Sequence, residues 1–383
     1  MRTPTPEPDI PRAIAALAAM GKMPFALAVV LADTGSTPRK AGTKALIDST
    51  GAIDGTIGGG PVEAEAQRRA VAAIRAGKPV VFDFVMRGDA AAAQSPICGG
   101  SMKILLDPTA TMHAGAFAKA AEARRDRKRG WLLTTIQPAT AKASPPADGQ
   151  AAPATVMVQF IAADAVEKDV APNLPLPGAD VLRSVLAGGA TRLFAAEHQV
   201  PGAAAATAAS GPWVLVEPII PQPLLVIAGG GHIGQALARQ AALVGFDLLI
   251  LDDRPEFADL ALYPPGAKSR RGDVAGQLAA TPLDGETYVA IVTRGHQHDR
   301  AALAACVAGG AAYVGMIGSK RKVGLIRQDL LESGAATAEQ LARLYAPIGL
   351  DIGAETVPEI AASIVAQLIA VRRKGSAARM PTG

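Results

Sequence analysis

The sequence predicts an α/β protein in which an N-terminal mixed α/β domain precedes a C-terminal domain built on a doubly wound parallel sheet. Three observations lead to this fold class. From residue 223 onward, short apolar segments alternate with alanine-rich segments of helical length, which is the order that βαβ units require. A glycine-rich turn joins the first apolar segment to a helix in LVIAGGGHIGQALA, residues 225–238. Residues 10–110 instead mix strand-like and helical patterns around three glycine- or proline-rich loops.

The composition is that of a folded globular protein. The 383 residues are 49% hydrophobic and 19% charged, and this length predicts two or three domains. The net charge of +4 gives no reason to expect nucleic acid or a membrane surface as a partner. The two cysteines, Cys98 and Cys306, form no CxxC pair, so we expect neither a disulfide framework nor a structural zinc site.

The chain shows no signal for export or membrane insertion. Its first residues are rich in proline and acidic side chains, where a signal peptide needs an uninterrupted apolar core. No apolar run reaches the roughly 18 residues that a spanning helix requires. We therefore expect a cytoplasmic protein.

The N-terminal domain is predicted over residues 10–110. Its elements alternate between apolar segments and clusters of turn-forming residues. Helices are predicted over residues 10–22 and 62–75, with Gly77 where a helix C-terminus is expected. The predicted strands are 25–31, 44–48, 80–85 and 102–107, and the predicted loops are 33–42, 55–60 and 96–101.

Residues 111–222 are predicted to form a connecting region with short strands. The strand-like segments are 131–136, 155–161 and 213–217. Between them lie two Pro- and Ala-rich segments, 138–153 and 201–212, whose composition is typical of flexible chain.

The C-terminal domain is predicted over residues 223–372. Its apolar strands, 224–228, 247–252, 287–293 and 311–317, alternate with helical segments, as in a parallel sheet covered by helices on both faces. The last helix begins with a capping box, in which Thr356 is the N-cap and Glu359 follows three positions later.

The glycine-rich turn carries the fingerprint Gly-x-Gly-x-x-Gly after a strand and at the start of a helix. Gly229 allows the tight turn, Gly231 lets the backbone approach a phosphate, and Gly234 lets the helix pack against the strand. Asp252 ends the next strand, where it could accept hydrogen bonds from a ribose. The pattern predicts a Rossmann-like site for a phosphate-bearing nucleotide, and the alternative is that the glycines serve only the turn.

Two further loops follow strands of the same predicted sheet. TRGHQHDR (293–300) contains His296, His298 and Asp299, which could bind a ligand by hydrogen bonds or simply build the loop. A zinc site needs three or four ligands, and no complementary cluster is visible, so no metal is predicted. GSKRK (318–322) offers Ser319 and Lys320 to an anion, or is an ordinary basic helix start.

The N-terminal loops form a second surface suited to an anion. Arg39, Lys40 and Lys44 lie close in sequence to GTIGGG (55–60), which leads into a helix. Glu63, in the first turn of that helix, could simply interact with the helix dipole. Cys98 lies beside glycines, and such a thiol is either reactive or part of the packing.

Taken together, these motifs resemble the XdhC/CoxI family, the accessory proteins of xanthine dehydrogenase and related molybdenum hydroxylases. In the first half, the resemblance lies in GSTPR (35–39), GTIGGGPVE (55–63) and CGG (98–100). In the second half, the matching motifs are PLLVIAGGGHIG (223–234), TRGHQHD (293–299), YVGMIGSKRK (313–322) and APIGLDIGAETVPEI (346–360).

The resemblance implies a chaperone for the molybdenum cofactor, a molybdopterin with or without a nucleotide. Such a protein protects the cofactor, supports its sulfuration and inserts it into an apo xanthine dehydrogenase or a related hydroxylase. It also implies an N-terminal XdhC/CoxI domain, self-association into a homo-oligomer, and a cysteine desulfurase as a further partner. The residues expected to bind the cofactor are Arg39, Gly58, Gly59, Gly60, Glu63, Cys98, Gly229, Gly231, His232, Gly234, Asp252, Arg294, His296, Asp299, Ser319 and Lys320.

The sequence departs from the family pattern at one position. Many members have cysteine after the three glycines, and this chain has Pro61. Proline suits the first turn of a helix, so the fold is expected to be unaffected. If a thiol of the N-terminal domain handles sulfur, Cys98 is the candidate.

The alternative interpretation is an NAD(P)-dependent oxidoreductase. Asp252 would then select NAD because a carboxylate repels a 2′-phosphate, and His296 would carry the proton. Neither a Ser-His-acid set nor a Tyr-Lys pair is evident from local spacing, so the catalytic residues stay unassigned.

Overall fold

The structure is a computed structural model in which residues 10–20, 24–86, 100–139, 152–165, 178–195 and 212–375 are described. The chain divides into two compact units, and the boundary lies between Pro221 and Gln222. Of the helices in the described ranges, none combines the length and the hydropathy that a membrane crossing needs.

The N-terminal unit contains a mainly antiparallel sheet. Nine strands in its described residues pair in the order β3-β2-β1-β5-β4-β7-β6-β9-β8. They are β1 (Phe25–Thr34), β2 (Lys44–Asp48), β3 (Ile53–Gly55), β4 (Val80–Val85), β5 (Ser101–Asp107), β6 (Gly130–Pro138), β7 (Ala152–Ala162), β8 (Arg192–Ala195) and β9 (Trp213–Ile219). The helices are α1 (Ile10–Met20), α2 (Gly60–Ala76), α3 (Ala114–Arg125) and α4 (Ala179–Gly188).

Both halves of this sheet contribute to one apolar core. Leu27 and Val29 of β1 belong to the same buried cluster as Leu132 of β6 and Leu215 of β9, together with residues of α1 and α3. The opposite face of β1 packs with α2, and the opposite faces of β6 and β9 pack with α4. Alternate residues along a strand therefore serve different cores, as the two-residue period of a strand requires.

The predicted connecting region is part of this sheet. Strands β6 and β9 pair over seven residues, from Gly130 opposite Ile219 to Ile136 opposite Trp213. Strand β7 joins the half of the sheet formed by β6 to β9 to the other half, because it pairs with Val80 and Val81 of β4. The predicted strand-like segments 131–136, 155–161 and 213–217 of this region are strands β6, β7 and β9 of the sheet. Their pairing partners lie far away in the sequence, so local pattern does not indicate how the strands pair. Most of the two predicted flexible segments lies outside the described residues.

A buried ion pair joins β2 to β9. The side chains of Lys44 and Glu217 are 11% and 8% exposed and form a salt bridge. Lys44 was predicted to contribute to an anion-binding surface. In the structure its ammonium group instead pairs with the carboxylate of Glu217. A second contact to β9 comes from β5, where Lys103 lies over the ring of Trp213, with Nζ 5.0 Å from the ring centre.

The C-terminal unit has the predicted doubly wound parallel sheet, in the order β12-β11-β10-β13-β14. Its strands are β10 (Leu224–Ala228), β11 (Asp247–Asp252), β12 (Lys268–Arg271), β13 (Thr287–Ile291) and β14 (Tyr313–Met316). Its helices are α5 (His232–Leu243), α6 (Val274–Ala279), α7 (His296–Cys306), α8 (Lys320–Glu332), α9 (Ala338–Ala342) and α10 (Val357–Lys374). One face of the sheet packs with α5 and α10, and the other packs with α6 to α9.

We predict that Lys44→Met destabilises the N-terminal unit by about 3–5 kcal/mol, because it leaves the buried Glu217 carboxylate without a partner. The double variant Lys44→Met/Glu217→Leu should lose much less, since it removes both charges. Urea unfolding followed by tryptophan fluorescence measures this effect, because the two tryptophans of the chain, Trp131 and Trp213, both lie in this unit. An unfolding midpoint of Lys44→Met equal to that of the wild type would contradict the assignment.

Candidate functional site

Three helices begin where strands of the parallel sheet end. Strand β10 continues through the glycine loop into α5, β13 continues into α7, and β14 continues into α8. Because the strands are parallel, these loops share the carboxyl edge of the sheet, and the strand order reverses between β10 and β13. This is the position where doubly wound folds bind their ligands.

Each glycine of the fingerprint meets a different steric demand. Gly229 has φ = 113°, and a Cβ there would lie 2.5 Å from the carbonyl oxygen of Val292. A Cβ on Gly234 would lie 2.1 Å from the carbonyl oxygen of Gly229, so helix and turn can pack only without a side chain. At Gly231, a Cβ would meet only an η nitrogen of Arg254, at 3.9 Å. Gly231 therefore borders open space, as a position next to a phosphate must.

Asp252 organises the base of the glycine loop. Its Oδ2 accepts hydrogen bonds from the Gly230 amide (2.7 Å) and from Nη2 of Arg254 (2.9 Å). Its Oδ1 accepts from the amide and from Nε of Arg254, both at 2.9 Å. Burial acts to raise the pKa of Asp252, but the bonds from Arg254 and Gly230 outweigh it and hold this pKa below its ordinary value. The side chain is therefore a carboxylate.

The guanidinium of Arg254 is fixed in place beside Gly231. It forms a bidentate pair with Asp252, and its Cζ lies 3.8 Å from the centre of the Phe257 ring. The hydrogen bond with Asp252 raises the pKa of Arg254 above its ordinary value. The result is a permanent positive charge at the edge of the open space over Gly231.

Tyr263 packs against the glycine loop at Gly230. The hydroxyl of Tyr263 lies 2.6 Å from the carbonyl oxygen of Phe257 and 3.1 Å from that of Gly230. Burial raises the pKa of Tyr263 to about 12, so this hydroxyl stays neutral and donates. A Cβ on Gly230 would lie 2.4 Å from the Tyr263 oxygen, and the loop is therefore tightly packed at this point.

This network differs from the role predicted for Asp252. The sequence predicted a carboxylate that accepts hydrogen bonds from a ribose and repels a 2′-phosphate. In the structure, both carboxylate oxygens already accept hydrogen bonds within the protein, and the guanidinium of Arg254 balances the charge. Arg254 directly follows the acidic pair 252–253 at the strand end, so the sequence signal for this residue was present and was missed.

The residues of the TRGHQHD segment have separate environments. Asp299 is fully buried, accepts a hydrogen bond from the Thr293 hydroxyl and pairs with Lys322. Arg294 pairs with Asp253 at 2.8 Å on the surface. His296 and His298 are exposed in the first turn of α7. Across the described ranges, no three His, Cys, Asp or Glu side chains are grouped so that they could bind a metal ion.

Of the remaining predicted residues of the C-terminal unit, His232 lies on the surface, and Ser319 and Lys320 line two different cavities. His232 is exposed in the first turn of α5. Ser319 is the N-cap of α8, where its hydroxyl accepts from the amide of Lys322. Ser319 lines a cavity of about 410 Å³ at the end of β14, whereas Lys320 lines a different cavity of about 500 Å³ along α8. The two neighbouring residues thus face different spaces.

The predicted loops of the N-terminal unit do come together. A Cβ on Gly58 would lie 2.6 Å from Cγ of Pro38, and a Cβ on Gly100 would lie 2.6 Å from the carbonyl oxygens of Thr34 and Ser36. Gly59 and Gly60 border open space and have positive φ, 70° and 60°. GSTPR and GTIGGG therefore form one surface, which we name the N-terminal loop surface (residues 35–39 and 55–60).

Charged groups beside this surface interact with the loops or with one another. Oε2 of Glu63 accepts from the hydroxyl of Thr56 (2.8 Å) and the amide of Gly59 (3.0 Å), so Glu63 holds the glycine loop closed. Lys40 pairs with Asp33 at 2.7 Å. Arg39 is half-buried, and Cys98 lies outside the described residues.

Two domain families match the chain. Residues 225–368 match the XdhC Rossmann domain, and residues 18–85 match the XdhC and CoxI family. The chain is 38% identical over 152 residues to the uncharacterized protein YqeB of Escherichia coli (strain K12), a match that covers 39% of this chain and 28% of that protein. It is 29% identical over 161 residues to a probable xanthine dehydrogenase subunit of Bacillus subtilis (strain 168), covering 42% and 46%. The matched segments span less than half the length of both relatives.

One solved structure has a fold similar to that of this chain over nearly the whole length of both chains. It is a protein from Bacillus halodurans described as a xanthine dehydrogenase, with a TM-score of 0.69. The match covers 97% of this chain and 98% of that chain, at 21% sequence identity. At this identity the likeness establishes the fold alone.

We predict that Gly234→Ala destabilises the C-terminal unit by about 1–3 kcal/mol, because the new methyl group collides with the backbone of Gly229. The matched variant Gly231→Ala should change stability by less than about 0.5 kcal/mol, since its methyl group points into open space. Near-ultraviolet circular dichroism during urea unfolding measures this difference, because the four tyrosines of the chain all lie in the C-terminal unit. Equal midpoints for the two variants would show that the loop does not pack as described.

Proposed function

We propose that this chain, which belongs to the XdhC and CoxI family, serves the maturation of a xanthine dehydrogenase as a chaperone for the molybdenum cofactor. The cofactor is the cargo. The protein binds it, protects it, supports its sulfuration and delivers it to an apo xanthine dehydrogenase or a related molybdenum hydroxylase. When bound, the cargo supplies the molybdenum chemistry of the client enzyme, and the chaperone supplies binding and protection.

The observation that carries this proposal is the open space over Gly231 in the C-terminal unit, with a cation at its edge. We name it the phosphate seat: the backbone of Gly229–Gly231, the first turn of α5 and the guanidinium of Arg254. The amides at the start of a helix attract anions, and Gly231 leaves the space above them open. Arg254 adds a fixed positive charge at 3.9 Å from the point where a Gly231 Cβ would lie. A molybdopterin carries a phosphate, so its chemistry fits this seat.

Arg254 retains donors for such a ligand. A guanidinium has five N–H groups, and two of them, on Nε and Nη2, bond to Asp252. Within the described ranges, the other three N–H groups have no hydrogen-bond acceptor. Because Asp252 fixes the plane of the guanidinium, little side-chain entropy is lost when a phosphate binds.

The N-terminal loop surface is a second region that supports a binding function. Gly59 and Gly60 expose backbone without side chains on either residue, and Glu63 fixes their conformation. Backbone amides of successive glycines are suited to anionic groups. We propose that this surface, including Arg39, is an anion-binding region of the N-terminal unit.

Sulfur handling by the chain itself would fall to Cys98. The other cysteine, Cys306, is 1% exposed, and burial raises its pKa to about 12. Its thiol is therefore protonated at neutral pH and unreactive. Pro61 occupies the first turn of α2, so this helix start offers no thiol. A cysteine desulfurase is the partner that would supply the sulfur, and we further propose a cytoplasmic homo-oligomer.

The alternative, an NAD(P)-dependent oxidoreductase, meets an obstacle in the structure. A nucleotide ribose would have to displace hydrogen bonds that Asp252 makes with Gly230 and Arg254. His296 is exposed at the start of α7, where water can compete for its proton. A titration with NADH, followed by fluorescence, provides the direct comparison.

We predict that Gly231→Val abolishes cofactor binding and leaves the fold intact, because the side chain fills the open space of the phosphate seat. The protein is purified from a molybdate-fed host, and the bound pterin is quantified by mass spectrometry after oxidation. The wild type should carry pterin and Gly231→Val less than a tenth as much. Gly188→Val, at the end of α4 where a Cβ meets nothing within 4 Å, is the matched control and should carry the wild-type amount.

Either of two results would overturn the proposal. The first is a Gly231→Val variant with the same pterin content as the wild type, which would show that the phosphate seat does not bind the cofactor. The other is wild-type protein without any pterin that binds NADH at micromolar concentration and reduces a carbonyl substrate, which would establish the oxidoreductase.

A further inference from the structure

The cavity at the end of β14 lies on the same sheet edge as the phosphate seat. Its volume is about 410 Å³, which is in the range of small-molecule sites. Its walls include Ile317 after β14, Ile348 and Ile352, and its polar side chains include Ser319 and Asp351. The cavity therefore combines an apolar lining with one carboxylate.

One wall of this cavity is a short segment held at both ends by α10. We name residues 350–354 the strap. Before the strap, Gln367 of α10 accepts a hydrogen bond from the Gly349 amide (2.9 Å) and donates one to its carbonyl oxygen (3.0 Å). After the strap, Glu359 of α10 accepts from the amides of Glu355 (3.0 Å) and Thr356 (2.8 Å). The two anchors fix the strap in one position before any ligand binds.

The residues that lead into the strap are fixed to the sheet. Tyr345 forms an isolated parallel bridge with Gly315. The amide of Ile348 donates to the carbonyl oxygen of Met316 at 3.0 Å, and Gln367, which is fully buried, also accepts a hydrogen bond from the Tyr313 hydroxyl at 2.6 Å. The cavity is thus built on the rigid core of the unit.

The strap itself has little packing of its own. Ile352 is 59% exposed although it is a large apolar side chain, and Asp351 beside it is exposed too. The anchors would hold a polar strap equally well, so stability does not explain an isoleucine at this position. An apolar side chain and a carboxylate on a fixed wall are suited to a flat ring with a polar edge.

We propose that this cavity binds the pterin ring of the cargo and that Asp351 is the residue that recognises it. The proposal rests on the proposed function, because it assumes a pterin ligand. The 2-amino group and N3–H of a pterin are two parallel donors, which match the two oxygens of a carboxylate. Ile317, Ile348 and Ile352 contact the faces of the ring.

The distance to the phosphate seat suits this assignment. Strand β13 lies between β10 and β14, and neighbouring strands are about 4.8 Å apart. The ends of β10 and β14 are therefore separated by about 10 Å. A ligand with a planar ring at one end and a phosphate at the other can span these two places on one sheet edge.

The chemistry also predicts selectivity. Guanine has the same pair of donors as a pterin, in its 2-amino group and N1–H, whereas adenine lacks this pair. The cavity should therefore bind a pterin, accept guanine less well because the ring is smaller, and discriminate against adenine. A site that needs only a flat apolar ring would bind all three alike.

The test is a fluorescence titration of the full chain with 6-hydroxymethylpterin, which has no phosphate and so reports on the cavity alone. The wild type should bind saturably, and Asp351→Asn should bind about tenfold more weakly, since an amide presents a donor to a donor edge. Glu355→Gln, the same charge change just outside the cavity lining, should bind as the wild type does. GMP should compete with the probe, and AMP should not.

Calorimetry with inorganic pyrophosphate separates this inference from the phosphate seat. Asp351→Asn should bind pyrophosphate normally, and Gly231→Val should lose pyrophosphate but keep the pterin probe. No saturable binding of the probe by the wild type, or equal affinity in Asp351→Asn, would overturn the inference. Probe binding that depends on Asp351, in a protein that does not bind pyrophosphate, would instead refute the phosphate seat and leave the cavity assignment standing.

Discussion

The hydrogen bonds between Asp252, Arg254 and Gly230 determine the conformation of the glycine loop in the C-terminal unit. Asp252 is 2% exposed, and a buried carboxylate is stable only when charged or polar partners surround it. Arg254 supplies three of its hydrogen bonds and Gly230 the fourth. The same contacts fix the glycine loop and the guanidinium in one arrangement. Both oxygens of Asp252, a residue whose position in this fingerprint commonly contacts a ribose, are thereby used within the protein.

The other groups at the carboxyl edge of the parallel sheet are also held in fixed positions. Gly234 lets α5 approach the turn, so the helix N-terminus reaches the seat. Gln367 and Glu359 hold the strap beside β14, and Asp299 with Lys322 ties the start of α7 to α8. Preorganised groups lose little entropy on binding, which agrees with the proposed role as a carrier of a cofactor.

The sequence was sufficient where local pattern determines structure. The alternation of strands and helices after residue 223, the steric roles of Gly229, Gly231 and Gly234, and the capping box at Thr356 are all local, and the structure contains each of them. The antiparallel pairing of β6 with β9 joins residues some eighty positions apart, and no local pattern indicates it. The bonds that Asp252 makes to Arg254 and Gly230 were not predicted for a related reason. Which partner a buried carboxylate takes depends on side-chain positions that spacing does not give. The hydrogen bond from the Gly59 amide to Glu63 was not predicted either, because it forms only when the helix that carries Glu63 has folded against the loop.

The most direct measurement is a crystal structure of the full chain with the cofactor bound, with anomalous scattering at the molybdenum edge to locate the metal. The account predicts the phosphate within hydrogen-bond distance of the Gly231 amide and the Arg254 guanidinium, with Asp252 still bonded to Arg254. A ribose hydroxyl pair on Asp252 with Arg254 displaced, or a cofactor bound away from this sheet edge, would contradict it.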